Sequence, residues 1–119
     1  MKILIVDDSK AMRKIITWNL RQTETSVDKI FEASCCHDAL QIIESKQLDL
    51  VISDWNMPEM GGLQLLKSLR DANNKVKFGF VVTQMSASIH NLVINAGADF
   101  IISNPSSIET FKTQINQSL

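Results

Sequence analysis

The sequence predicts an α/β fold, in which a parallel sheet is covered by helices on both faces. Two observations predict it. Short, nearly continuous apolar runs alternate with longer segments of helical periodicity, and this pair of patterns occurs five times along the chain. Continuous apolar runs suit parallel strands buried on both faces, whereas apolar residues every three or four positions form one stripe of a helix. Alternating units of this kind are joined by right-handed crossovers into one layered domain.

Four apolar runs predict the clearest strands, at residues 3–6, 48–52, 78–82 and 100–102. A weaker strand is predicted over residues 27–32, where polar residues mix with apolar ones as an edge position allows. The helices are predicted from five apolar stripes: Met12, Ile15, Ile16 and Leu20; Ala39, Leu40 and Ile43; Leu63, Leu66 and Leu69; Ile89, Leu92, Val93 and Ala96; Ile108, Phe111, Ile115 and Leu119. Ser106 and Glu109 have capping-box spacing, and Gly97 stands at an expected helix C-cap.

Length and charge restrict the classes of function. The chain has 119 residues and a net charge of −1, and 45% of its residues are hydrophobic. These values are typical of one globular domain, which we assign to residues 1–119. The near-neutral charge does not indicate a nucleic-acid-binding surface, and no apolar stretch approaches the ~18 residues needed to cross a bilayer. We therefore expect this domain to bind neither nucleic acid nor membrane.

The two cysteines, Cys35 and Cys36, are adjacent, so an unstrained disulfide between them is not expected. Two neighbouring thiols and no other cysteine predict a reduced, cytoplasmic protein. His37 follows them, which raises the possibility of a metal site. Three consecutive side chains point in divergent directions, however, so we favour ordinary residues at the start of a helix.

Acidic side chains follow two predicted strands at their carboxyl ends. Asp7 and Asp8 follow the first strand, Asp54 follows the third, and the hydroxyl of Thr83 follows the fourth. Because ligands of an open α/β sheet bind at this edge, we expect these side chains to converge. Lys10 also follows the acidic pair, as does Arg13, and for these two we favour solvated charges on the first helix.

Clustered carboxylates need a cation or a proton among them. Two unit charges about 4 Å apart repel by about 4 kcal/mol at an effective dielectric of about 20. Oxygen ligands suit Mg²⁺ rather than Zn²⁺, and a carboxylate beside Mg²⁺ can act as the nucleophile in phosphoryl transfer. Each acid taken singly is well explained as a turn or cap residue. Three acids at strand ends favour a phosphoryl-transfer site with Asp54 as the acceptor.

Motifs along nearly the whole chain resemble the receiver domains of two-component response regulators. The matching segments are 6–9, 51–58, 62–63, 65–67, 82–83 and 96–98, together with Pro105, and the run from Asp54 to Pro58 is the most specific of them. The resemblance implies a flavodoxin-like, five-stranded parallel sheet with strand order 2-1-3-4-5.

The resemblance also implies a role for each residue at the site. Asp54 would accept a phosphoryl group from a phosphohistidine on a sensor histidine kinase or a phosphotransfer protein. Asp8, Asp54 and the backbone carbonyl of Asn56 would hold Mg²⁺, with Asp7 acting mainly through water. Thr83 would move to hydrogen-bond the phosphoryl group and pull its loop with it. A downstream protein would then bind the surface of the fourth helix, fifth strand and fifth helix.

Three positions depart from the family pattern. Asn104 stands where the family has a lysine that pairs with a phosphoryl oxygen, and losing such a charge-assisted hydrogen bond costs roughly 1.5–3 kcal/mol. Ile101 replaces an aromatic side chain that reports switching, while Phe100, one position earlier, would face the other side of the sheet. Gln84 is large where the family has a small residue beside the phosphorylation pocket.

Three functions are open on these grounds. The favoured one is a phosphorylation-controlled interaction module that assists its own phosphorylation and dephosphorylation but is not an enzyme toward other substrates. The second is a degenerate receiver that binds proteins without phosphorylation, which the three departures favour. The third is an aspartyl-phosphate phosphatase, and it lacks support because the position two residues after Asp54 is Asn56, not a second acid.

Overall fold

The computed structural model describes residues 1–22, 27–55, 61–83, 86–103 and 108–118, in which strands and helices alternate strictly. The strands are β1 (Lys2–Val6), β2 (Lys29–Ala33), β3 (Leu50–Asp54), β4 (Lys77–Val82) and β5 (Phe100–Ser103). The helices are α1 (Lys10–Gln22), α2 (Cys36–Ser45), α3 (Gly62–Asp71), α4 (Ala87–Asn95) and α5 (Ile108–Ser118).

The strands form one parallel sheet in the order β2-β1-β3-β4-β5, which confirms the predicted fold class and strand order. In the register, Ile5 lies between Glu32 of β2 and Ile52 of β3. On the other side of β3, Asp54 pairs with Val81 of β4. Asp7 and Asp8 follow the end of β1, and Asp54 ends β3. Because β1 and β3 are adjacent, these three acids lie at neighbouring positions on the carboxyl edge of the sheet.

Alternate residues of each strand supply two hydrophobic cores, one on each face of the sheet. Leu4 and Val6 of β1 belong to the core covered by α2, α3 and α4, whereas Ile3 and Ile5 belong to the core covered by α1 and α5. The helical side chains that close the first core include Ala39, Leu65, Leu66 and Val93. Those that close the second core are Ile16, Leu20, Phe111 and Ile115.

The predicted apolar stripes are too wide in two helices. Ile15 is 48% exposed and Leu92 is 52% exposed, so the inclusion of both in core-facing stripes is wrong. In each case the next residue in the chain, Ile16 or Val93, is the one that is buried, and a helix turns by about 100° per residue. In α1 and α4 the first residue of each apolar pair therefore points away from the sheet, whereas Leu65 and Leu66 of α3 are both buried.

Phe100 and Ile101 lie on opposite faces of the sheet, as predicted. Phe100 packs in the core beneath α1 and α5, and Ile101 packs in the core on the other face. Gly97 has a positive φ of 99° after the end of α4, which agrees with its predicted place at the helix end. Ser106 lies outside the described residues. Among the helices that the structure describes, none has the length and apolar character needed to span a bilayer.

Arg70, near the end of α3, connects the segments that lead into β4 and β5 at the amino edge of the sheet. Its guanidinium donates hydrogen bonds to the carbonyl oxygen of Gly97 at 3.0 Å and to that of Asn74 at 2.8 Å. It also lies 3.7 Å from a carboxylate oxygen of Asp99, which in turn accepts the amide N–H of Phe78 at 2.9 Å. These contacts hold the starts of β4 and β5 together, at the end of the domain opposite the acids.

Candidate functional site

The carboxyl edge of the sheet brings together the three acids singled out in the sequence. One carboxylate oxygen from each of Asp7, Asp8 and Asp54 lies within 4.8 Å of the others. We call these residues the acidic cluster. Asp7 is buried, Asp54 is half-buried and Asp8 is exposed, so the cluster opens to solvent on one side.

Asp7 is the deepest member of the cluster, with 2% of its surface exposed. Its amide N–H donates to the carbonyl oxygen of Ala33 at 3.0 Å, and its Oδ1 accepts the amide N–H of Ser9 at 2.9 Å. Burial raises the pKa of the Asp7 carboxyl, the neighbouring charge of Asp8 raises it further, and the Ser9 N–H and the Arg13 cation act in the opposite direction. An ionised Asp7 is therefore costly unless a cation joins it.

Arg13 of α1 reaches back to the loop that carries the first two acids. Its Nη1 donates to the backbone carbonyl oxygen of Asp7 at 2.7 Å, and its Nε donates to Oε1 of Glu32 at 3.0 Å. Only 15% of the Arg13 side chain is exposed. The expectation that Arg13 is a solvated surface charge is therefore wrong, whereas Lys10 is exposed as expected.

The sequence had no signal for these contacts of Arg13. The acceptor on Asp7 is a backbone carbonyl, and Glu32 stands on a different strand, 19 residues further along the chain. Ser9 offered a better signal, because a serine just before a helical stripe is a common N-cap. Its Oγ accepts the amide N–H of Met12 at 3.2 Å in the first turn of α1.

Asp54 ends β3, and its neighbours tie it to β4. The amide N–H of Trp55 donates to the carbonyl oxygen of Val81 at 3.1 Å, and the hydroxyl of buried Ser53 donates to the carbonyl oxygen of Asp54 at 3.0 Å. The indole of Trp55 packs edge-to-face on Phe80, with ring centroids 5.5 Å apart. An aromatic side chain directly beside the candidate acceptor is thus held by the core.

The remaining predicted site residues divide between described and undescribed parts of the chain. Thr83 directly follows β4 at the same edge and is exposed. Ile101 is 8% exposed and packs in the core on the face covered by α4. Asn56, Gln84 and Asn104 lie outside the described residues, so their roles stay predictions.

The acidic cluster has the donor chemistry of a site for a hard divalent cation. All three side chains offer oxygen, and oxygens no more than 4.8 Å apart are close enough to share one small ion. A positive charge among the three carboxylates offsets their mutual repulsion and lowers the pKa of Asp7, which burial and the Asp8 charge raise. Mg²⁺ fits this set better than Zn²⁺, because neither sulfur nor imidazole is present in it.

The Cys35, Cys36 and His37 segment is a helix start, as favoured from the sequence. Cys35 is the N-cap of α2, and Cys36 is its first residue. Cys36 is buried and its Sγ contacts the carbonyl oxygen of Gly61 at 3.8 Å, whereas Cys35 is half-buried and His37 is exposed. Burial raises the pKa of the Cys36 thiol to about 11. Neither of the two cysteines, both of which the structure describes, forms a disulfide.

Comparison with solved structures gives the same fold over nearly the whole chain. The receiver domain of Francisella response regulator 1452 superposes with a TM-score of 0.86 at 26% identity, covering 98% of this chain and 94% of that one. Vibrio cholerae chemotaxis protein CheY4 superposes with a TM-score of 0.83 at 26% identity, covering 99% and 98%.

Curated relatives agree with the structural comparison. CheY homologues of Campylobacter jejuni are 42% identical over 71 residues, which cover 59% of this chain and 53% of theirs. The chain therefore spans about half the length of the curated relatives it matches. The response regulator receiver domain family matches residues 3–116. That match takes in β1 from its second residue, the other four strands and the acidic cluster, and the chain belongs to the response regulator receiver domain family.

Proposed function

We propose that this domain is a phosphorylation switch in which Asp54 accepts a phosphoryl group beside Mg²⁺. The observation that carries the proposal is the convergence of the Asp7, Asp8 and Asp54 carboxylates within 4.8 Å at the carboxyl edge of the sheet. Three clustered acids on adjacent strand ends repel one another and lower the stability of the fold. Their presence is explained if they bind a cation beside a phosphoacceptor.

The proposed reaction is an in-line displacement at phosphorus. A carboxylate oxygen of Asp54 attacks the phosphorus of a phosphohistidine on a sensor kinase or phosphotransfer protein. The new P–O bond forms an acyl phosphate as the P–N bond breaks, and the imidazole leaves with the bonding electron pair. Hydrolysis later returns Asp54 to the carboxylate and releases inorganic phosphate.

The other residues of the site have supporting roles in this proposal. Bound Mg²⁺ neutralises the charge that develops on the phosphoryl oxygens. Asp8, Asp54 and the carbonyl of Asn56 would hold the ion, and buried Asp7 would act mainly through water. Thr83 stands exposed just beyond β4, where its hydroxyl can swing toward a phosphoryl group on Asp54.

The proposed output surface lies on the side of α4, β5 and α5. A groove of about 630 Å³ opens there, with His90 and Ile94 from α4, Ile101 from β5 and Gln114 from α5 in its walls. Ile94 is 41% exposed, which supplies an apolar contact for a protein target. We place the domain in the cytoplasm, in keeping with two cysteines that are not joined in a disulfide.

A degenerate receiver is the second candidate, and one observation favours it. Ile101 is 8% exposed and packs with the core, so the position that carries a switching ring in the family holds a short aliphatic side chain. A domain without that ring could display the same groove whether or not Asp54 is phosphorylated.

The decisive experiment is incubation with Mg²⁺ and acetyl phosphate, followed by mass spectrometry of intact protein and of its peptides. We expect a gain of one phosphoryl group, located on Asp54 and lost on removal of Mg²⁺. Asp54→Asn should abolish it. Asp71→Asn, which changes an exposed acid at the end of α3, is the matched control and should be phosphorylated normally.

Trp55 allows the two candidates to be separated in the same samples. A Trp18→Phe background removes the other indole, which is 57% exposed. A switch should change Trp55 fluorescence on addition of Mg²⁺ and again on addition of beryllofluoride. No response to either, together with no gain in mass, would establish the degenerate receiver. A phosphoryl group on a residue other than Asp54 would refute the switch as proposed.

A further inference from the structure

Arg13 joins three parts of the chain that meet below the acidic cluster. The residue lies in the first turn of α1, where its own amide N–H donates to the carbonyl oxygen of Ser9 at 3.0 Å. Its guanidinium donates at 2.7 Å to the carbonyl oxygen of Asp7, in the loop between β1 and α1, and at 3.0 Å to Glu32 on β2. One side chain thus links the loop to the helix that follows it and to the neighbouring strand.

The carbonyl that Arg13 contacts belongs to the peptide unit between Asp7 and Asp8. A planar peptide fixes the relative orientation of the two residues it joins, so a bond to its oxygen restrains both at once. The other side of Asp7 is restrained by the bond from its amide N–H to Ala33. Arg13 therefore adds a second backbone contact to Asp7, and the two contacts restrain the peptide units on either side of that residue.

Glu32 holds the guanidinium in place for this contact. It stands opposite Ile5 in the register of β1 and β2, one position before the Val6–Ala33 pair at the end of the sheet. The Glu32 side chain is 48% exposed while that of Arg13 is 15% exposed. The carboxylate is thus an anchor on the rim, and the guanidinium is the buried half of the pair.

The charge of Arg13 and its geometry have opposite effects on a bound cation. A positive charge close to the acidic cluster repels Mg²⁺, so its removal alone would strengthen binding. A planar guanidinium with two directed hydrogen bonds holds the loop in one conformation, so loss of that geometry would weaken binding. The sign of the change on substitution therefore separates the two effects.

We propose that Arg13 is a positioning residue that preorganises Asp7 and Asp8 for the divalent cation, with Glu32 as its anchor. The inference rests on the proposed function, because it assigns Arg13 a role at that same cation site. The guanidinium of Arg13 donates its two hydrogen bonds to Glu32 on β2 and to the backbone of the loop, and not to a carboxylate of the acidic cluster. It therefore does not stand in for the family lysine that Asn104 replaces.

The test measures Mg²⁺ affinity through Trp55 fluorescence in a Trp18→Phe background, with urea unfolding of each variant in parallel. Arg13→Lys keeps the charge but loses the planar fork, and we expect its affinity for Mg²⁺ to fall by about ten- to a hundredfold. Arg13→Gln should also bind more weakly. Glu32→Gln leaves Arg13 in the chain, disturbs folding least, and should give a smaller loss in the same direction.

Arg70→Lys is the matched control for stability. Arg70 also binds backbone carbonyls through its guanidinium, but at the amino edge of the sheet. Its substitution should lower stability and leave the Mg²⁺ affinity of the folded protein unchanged. The inference is overturned if Arg13→Lys binds Mg²⁺ as tightly as the unaltered chain, or if Arg13→Gln binds it more tightly. Failure of the unaltered chain to bind Mg²⁺ would instead refute the proposed function, and this inference with it.

Discussion

Gly62 lies so close to the backbone of Asp54 that a Cβ atom on the glycine would stand 2.4 Å from the Asp54 carbonyl oxygen. The same Cβ would lie 2.7 Å from a ring carbon of Phe80 and 2.9 Å from Oγ of Ser53. Gly62 is the first residue of α3, so the helix can begin directly against the end of β3 only because no side chain intervenes. The position of Asp54 thus depends on a glycine eight residues later in the chain.

We expect Gly62→Ala to destabilise the domain and to disturb the acidic cluster. Overpacking of a core typically costs about 1–3 kcal/mol. The added Cβ would clash with a backbone oxygen, which cannot move aside as a flexible side chain can, so we expect the free energy of unfolding to fall by at least about 2 kcal/mol. Urea unfolding measures the loss, and Trp55 fluorescence measures the effect on Mg²⁺ binding.

Gly61→Ala is the control for this substitution. Within the part of the chain that the structure describes, a Cβ on Gly61 would meet only the Trp55 carbonyl oxygen, at 3.8 Å, which is an ordinary contact. Its stability should change by less than that of Gly62→Ala, and Mg²⁺ binding should persist. Equal stability of the two variants would show that the close approach of Gly62 to Asp54 is not a constraint in solution.

Asp7 should make the stability of the cation-free protein depend on pH. Burial raises the pKa of Asp7 above its ordinary value of 3.8, so between 3.8 and the raised value the folded state holds more protons than the unfolded state. Stability therefore falls as pH rises through that window and stays lower above it. In the presence of a chelator, Asp7→Asn should be more stable than the unaltered chain at neutral pH.

The advantage of Asp7→Asn should shrink as pH falls and should vanish below 3.8, where Asp7 is protonated in both states. Saturating Mg²⁺ should reverse the order at neutral pH, because it stabilises the unaltered chain by about 2.7 kcal/mol at a hundredfold excess over its Kd and stabilises the more weakly binding Asp7→Asn variant less. Urea unfolding at several pH values, with and without Mg²⁺, measures both effects. An Asp7→Asn variant less stable than the unaltered chain at neutral pH without Mg²⁺ would contradict the prediction.

Cys36 should be chemically inert in the folded protein. Its side chain is 3% exposed, and a pKa of about 11 leaves about one thiol in a thousand ionised at pH 8. We expect a thiol reagent to modify half-buried Cys35 first and to reach Cys36 only in denaturant. Peptide mass spectrometry after brief labelling distinguishes the two sites, and a Cys36→Ser variant should label in the native state like the unaltered chain. Native labelling of Cys36 at the rate of Cys35 would show that α2 opens readily.

The sequence predicted the sheet and the acidic cluster because both depend on local pattern. Apolar runs predict β1 and β3. Asp7 follows the first of these runs directly and Asp54 follows the other after Ser53, so the adjacency of the two strands brings the acids together. Ile15 and Leu92 were misplaced because adjacent apolar residues make a helix stripe ambiguous by one position. The hydrogen bond from Arg13 to the Asp7 carbonyl could not be predicted, because every residue has a backbone carbonyl and the residue type does not show which of them accepts a hydrogen bond.

Restoring the family lysine should strengthen the phosphorylated state. Asn104 is neutral, and a lysine there can add a charge-assisted hydrogen bond to a phosphoryl oxygen, worth roughly 1.5–3 kcal/mol. We expect Asn104→Lys to bind beryllofluoride about ten- to a hundredfold more tightly in the presence of Mg²⁺, as reported by Trp55 fluorescence. Asn95→Lys, at the exposed end of α4, adds the same charge elsewhere and should leave binding unchanged. Equal gains from both lysines would mean that general charge, rather than a directed contact at position 104, sets the affinity. No gain from either would mean that this chain has replaced the lysine with another interaction.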